Sequence, residues 1–105
     1  MLKLINNSTA FYGTGLSLQK KLFKIKSGSY AGRIVAIYPT TPSTIMLSYS
    51  DPPYLSWSTP YYVTADSADY PAGCWMDTNG DIYVAYTAET SLNLMHKKLN
   101  FVNGY

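Results

Sequence analysis

Apolar residues in this chain fall in short, dense runs rather than at helical spacing. Residues 33–38 (Arg-Ile-Val-Ala-Ile-Tyr) form one run, ended by Pro39-Thr-Thr-Pro42. Residues 44–49 (Thr-Ile-Met-Leu-Ser-Tyr) form the next and stop at Asp51-Pro-Pro53. Residues 59–64 follow, then 73–76, then 81–86 after Asp77-Thr-Asn-Gly80, and finally 91–102 with Leu92, Leu94 and Leu99 at apolar positions. Proline and glycine punctuation about every eight to twelve residues predicts strands joined by turns, the pattern of an all-β sandwich or barrel-like array. Residues 34–37 and 82–86 lack clean in-and-out alternation, as strands buried on both faces do. Asn79-Gly80 predicts a tight hairpin with positive φ at the turn.

Internal echoes suggest a repeat. Ser29-Tyr-Ala-Gly32 returns as Asp69-Tyr-Pro-Ala-Gly73, which places Tyr30 and Tyr70 40 residues apart. Each is followed by an apolar strand, a turn and a strand ending in tyrosine. Lys20-Lys-Leu22 returns as Lys97-Lys-Leu99, 77 residues on and close to two such periods. A unit near forty residues with three or four strands matches a β-propeller blade. The chain then reads as one partial propeller of about two and a half blades. Residues 1–28 are N-terminal strands of a split blade, 29–68 a blade, and 69–105 an incomplete one.

Composition sharpens the fold class. Of 105 residues, 47% are hydrophobic and only 13% charged, with eleven Tyr, three Phe and two Trp. That is far from a disordered composition, and aromatics favour pleated surfaces. The net charge of +2, with Arg33 the only arginine, is too weak a footprint for nucleic acid. Cys74 is the only cysteine, so no disulfide forms within the chain. Residues 1–8 are no secretory signal, and no run approaches the ~20 apolar residues of a membrane helix. A soluble protein that engages neither nucleic acid nor membrane is expected.

Residues 48–57 (Ser-Tyr-Ser-Asp-Pro-Pro-Tyr-Leu-Ser-Trp) resemble a degenerate Asp-box, the Ser-x-Asp-x-Gly-x-x-Trp hairpin of sialidase-like β-propellers. Pro53 and Tyr54 stand near the glycine position, and Asp51 to Trp57 is one residue longer than the motif. The resemblance implies that Asp51 braces its turn and that Trp57 packs between blades. The order Asp69-Tyr-Pro71, strand, Asp77-Thr-Asn-Gly80, strand also resembles blades of bacteriophage and prophage propeller proteins, often tail-associated. Phage-particle association and a host-recognition role follow as expectations. Sialidase chemistry does not, because it needs an arginine triad and this chain has one arginine.

Other chemistries find little support. His96 is the sole histidine, in Met95-His-Lys-Lys98, and no nucleophile-elbow pattern frames any serine. Asp66, Asp69 and Glu89 offer carboxylates for glycoside hydrolysis, yet the two aspartates sit in a polar loop where turn hydrogen bonding suffices. Residues 77–81 resemble a calcium loop but lack its glutamate. Cys74 and His96 have no metal-ligand spacing. No catalytic residue, cofactor or metal is therefore assigned.

Binding is the better reading. Tyr30, Arg33, Asp69, Tyr70 and Trp75 are the candidate ligand residues, set on loops at the inner-strand entrance of the blades, with tyrosine and tryptophan suited to stacking on sugar rings. The expected function is a non-enzymatic module that binds carbohydrate or a host surface. A purely structural piece of a larger propeller, or a hydrolase-like domain, are the alternatives. The chain ends at Asn103-Gly-Tyr105 as if before a further strand. Too few blades to close a ring predict self-association into a homodimer or homotrimer, with strands around 18–25 completing a blade begun by 92–102 of another copy.

Overall fold

The computed structural model describes residues 4–5, 22–41, 43–66, 73–88, 90–91 and 93–100. Among them are seven strands and no helix: β1 (Leu22–Lys24), β2 (Ile34–Thr41), β3 (Thr44–Ser50), β4 (Tyr61–Thr64), β5 (Gly73–Met76), β6 (Ile82–Thr87) and β7 (Leu94–Leu99). They form two antiparallel meanders, a four-stranded sheet β1-β2-β3-β4 and a three-stranded sheet β5-β6-β7. The protein is all-β.

Register explains the apolar runs. In the first sheet Phe23, Val35 and Tyr49 share a row, as do Ile37, Leu47 and Tyr61, all on one face. Ala36 and Ser48 lie on the other, next to Tyr38 and Met46, and Ala36, Met46 and Ser48 are also buried. Burial on both faces removes the alternation that a one-sided strand would show. The serine in this setting needs a partner, and Ser48 Oγ meets Tyr38 Oη at 2.7 Å. Strand β2 runs through Pro39, where the sequence predicts a stop. β1 flanks β2 only from Ile34 to Ala36, so further along, among the described residues, that side of β2 is an edge. A proline without an N–H is tolerated there, and the register shifts between Pro39 and Thr41.

The inner faces of the two sheets meet in one core: Phe23, Ile25, Val35, Ile37, Ile45, Leu47 and Val63 from the first unit, Ile82 and Val84 from the second. Two polar ties flank it. Lys97 of β7 donates to the Val63 carbonyl of β4 at 2.6 Å. Asp66, just after β4, accepts from the Thr90 backbone N–H at 3.0 Å and from its hydroxyl at 2.8 Å. β7 thus lies over β4, and a cleft lined by both β1 and β5 marks the opposite side.

Within one chain, Leu22–Lys24 pairs with β2 and so shares a sheet with the strands of the 29–68 unit. Strand β7 likewise pairs with β6 at home. The Tyr30 loop joins β1 to β2 within one sheet, whereas residues 65–72 link the two sheets. Topologically equivalent starts, Leu22 and Gly73, are 51 residues apart rather than forty. The forty-residue echo rests on tyrosine, glycine and small residues, types that suit any turn, and its second copy lies largely outside the described residues.

The 77–81 hairpin forms, by a different turn. Gly80 takes φ 92° while Asn79 does not turn positive. Asp77 O accepts from Gly80 N at 3.1 Å, Asp77 N donates to Asp81 O at 2.9 Å, and Asp77 Oδ1 accepts from Asn79 N at 2.9 Å. The aspartate side chain holds the turn and leaves only Gly80 to adopt the left-handed conformation, as in a three-residue loop ending in a bulge. Gly80→Val should cost about 2 kcal/mol by forcing a β-branched residue to positive φ. Urea denaturation checks it; an unchanged midpoint would mean the turn rearranges freely.

Candidate functional site

Two clusters hold the chemistry-bearing side chains. The first surrounds Arg33, which precedes β2 and is 7% exposed. Its Nε and Nη2 donate to the two Asp51 carboxylate oxygens at 2.8 and 2.9 Å, a bidentate pair. The guanidinium carbon lies 4.3 Å from the Tyr30 ring centroid and 3.8 Å from that of Tyr49, so the cation is sandwiched. Tyr49 stacks in turn on Tyr61 at 6.2 Å. The loop after β3 is pinned to the same place: Tyr54 Oη donates to the Gly32 carbonyl at 2.6 Å, and Tyr54 N to the Asp51 carbonyl at 2.7 Å. Gly32 has φ 94°, and a Cβ there would meet Pro52 Cγ at 3.2 Å, so glycine is the residue that lets the loop approach.

The electrostatics follow from that geometry. The hydrogen bond from Arg33 holds the Asp51 carboxyl below its ordinary range, against the opposing effect of burial. The same bond raises Arg33 further, so it stays charged. Burial pushes the Tyr49 hydroxyl up, with Tyr61 adding to the effect. A cation with Nε and Nη2 engaged by one carboxylate and both faces covered is a brace between the β1–β2 and β3–β4 loops. The sequence names Arg33 as a candidate ligand residue, and here its charge is paired with Asp51.

The second cluster lies between β1 and β5, a cleft of about 560 Å³ lined by Phe23, Lys24, Lys26, Trp75, Asp77 and neighbours. Trp75 is 64% exposed, on the β5 face opposite the core. It packs at a tilt against Tyr83 at 5.6 Å, and Tyr83 stacks on His96 at 5.6 Å, so an aromatic strip crosses the outer face of the second sheet. Lys98 closes the strip, paired to Asp81 at 2.9 Å, which raises its pKa. Asp77 is held: its oxygens accept from Asn79 N, Asp81 N and Tyr83 Oη.

Of the five sequence candidates, Tyr30 and Arg33 come together and Trp75 sits apart in the cleft. Asp69 and Tyr70 lie outside the described residues. Lys24 of β1 and Lys26 just after it also line the cleft, although the sequence does not single them out for a site; their i, i+2 spacing is the available signal. The Asp51 carboxylate binds Arg33 rather than bracing its own turn, and Trp57 is half-buried without joining the core cluster. Both carboxylate oxygens of Asp66 are engaged by Thr90, while Glu89 lies outside the described residues. Cys74 packs against the core, and His96 is exposed on its strand. Among the described residues no three His, Cys, Asp or Glu side chains gather as metal ligands would, and no helix is long and apolar enough to cross a membrane. No protein-family model, curated protein or solved structure matches the chain.

Proposed function

We propose that this chain is a non-enzymatic recognition module, a pair of sialidase-like propeller blades that closes its ring with further copies of itself and binds carbohydrate. The observation that carries the reading is how the two meanders stack. Their first strands, β1 and β5, share one side through the cleft, and β7 lies over β4 through Lys97 and Val63. Blades around a ring stack in this way, inner strand beside inner strand.

Exposed apolar side chains support self-association. The first sheet leaves Leu22 and Tyr62 exposed, and the second leaves Leu94, at 80%. A face of each kind on every chain suits head-to-tail contact, which closes when the rotation permits. Two sheets per chain give about four blades from two copies and about six from three, both within the roughly four-to-eight range of propellers. Phage-particle association and host-surface recognition remain the setting in which such a module would work. The non-enzymatic reading rests on the engagement of Arg33 by Asp51 and of Asp66 by Thr90.

Sedimentation velocity tests the assembly. A dimer or trimer is expected at micromolar concentration, and Leu94→Glu should shift the population to smaller species by placing a charge in the contact. A wild-type chain that sediments as a stable, cooperatively folding monomer would overturn ring closure.

A further inference from the structure

We infer that the cleft between β1 and β5 binds an acidic saccharide, a sugar ring carrying a carboxylate. The inference deepens the carbohydrate reading and does not depend on ring closure, because one chain supplies every wall. The volume of about 560 Å³ lies within the roughly 300–1,000 Å³ of small-molecule sites. Trp75 provides an exposed flat face at the rim, fixed from behind by Tyr83. Such a face packs against the C–H side of a pyranose.

Charge sets the ligand class. Lys24 and Lys26 both line the cleft, and among the described residues neither has an ion pair or a side-chain hydrogen bond. Asp77 is the one acid among the lining residues, and its carboxylate is spent on two backbone N–H groups and the Tyr83 hydroxyl. The cleft therefore presents two lysines against one carboxylate, which leaves a net positive charge, and that carboxylate is already occupied by hydrogen bonds from its own hairpin. A neutral sugar would use the tryptophan and leave both cations idle. A uronic acid uses all three.

The test titrates trigalacturonic acid, and separately the neutral galactotriose of the same linkage, into the intact chain, followed by calorimetry and by amide shifts in the NMR spectrum. The acid should bind at least about tenfold more tightly than the neutral sugar, with affinity falling as salt rises. Lys24→Gln and Lys26→Gln should each weaken binding about three- to fivefold. Trp75→Ala should weaken it about tenfold, while Trp57→Phe leaves it unchanged. The two lysine variants alter exposed side chains and keep the fold, which an unchanged melting temperature verifies. Equal affinity for both sugars, or affinity indifferent to both lysine variants, overturns the acidic-ligand inference while leaving carbohydrate binding in place. If neither sugar binds, the carbohydrate reading falls with it, and sedimentation still decides ring closure separately.

Discussion

Replacing Arg33 with methionine is expected to lower stability by about 3 kcal/mol, and Asp51→Asn by about 2 kcal/mol. Arg33 is nearly buried and its neighbours are two tyrosine rings and one carboxylate. Removing the carboxylate strands a cation with little water around it. The penalty falls short of the ~3–5 kcal/mol of a deeply buried pair because the Asp51 side chain is 50% exposed and water can partly replace it. Removing the arginine also empties the space between Tyr30 and Tyr49, which methionine fills only in part. The double variant should cost about 3 kcal/mol rather than the sum of about 5, because both substitutions break the same contact. Urea denaturation of the four proteins checks this. Strict additivity would show that the bidentate pair contributes nothing as a pair.

The brace also sets an acid limit. Asp51 titrates below its ordinary range in the folded chain, first because Arg33 hydrogen-bonds to it. A depressed folded value means the contribution is fully present above the unfolded pKa of about 3.9 and is lost as pH falls through the folded value. Arg33, pushed upward, stays charged throughout this window. The stability gap between the parent and Asp51→Asn should therefore stay constant from neutral pH to about pH 5 and close below about pH 4. A gap that changed near neutrality would assign the effect to a different group.

Short-range signals in the sequence located the strands well. The runs that became β2, β3 and β6 are apolar because both their faces or their inner face meet the core; Pro52-Pro53 and residues 78–80 sit in turns, whereas Pro39 lies inside β2. Sheet membership was not legible. Leu22–Lys24 is only three residues long, and its place is fixed by Phe23 opposite Val35, a contact that no local pattern announces. The period of forty rests on tyrosines and glycines, residue types that suit turns as readily as a blade repeat. Arg33 is a candidate from its place on a loop before an apolar strand, and its pairing depends on Asp51, 18 positions away across a hairpin. Trp75 is exposed beside a cleft, and the lysines that line the same cleft come from β1 and the residues just after it in the other sheet. Residue type suggested what each group can do. Long-range pairing decided which groups meet.

Ile82→Ala is expected to cost about 3–4 kcal/mol, a large share of the roughly 5–15 kcal/mol that holds a small domain. Only Ile82 and Val84 carry the second sheet into the buried cluster, among the described residues, while seven side chains come from the first. Cys74, Met76, Tyr86 and Leu99 pack around them but are only partly buried. Removing three methyl or methylene groups from Ile82 therefore opens a cavity at the joint between the sheets, where the rigid ladders on both sides limit collapse. Ile82→Val removes one such group and should cost about 1 kcal/mol. The loss should be uneven along the chain. Amides of β5, β6 and β7 should exchange with solvent faster in Ile82→Ala than those of β2 and β3, because the three-stranded sheet loses half of its anchor and the four-stranded sheet keeps its own. Thermal melts should drop by roughly 4–8 °C for each kcal/mol lost. If Ile82→Ala melts within about 2 °C of the parent, or if both sheets exchange at the same accelerated rate, the two meanders do not depend on this joint as their packing implies.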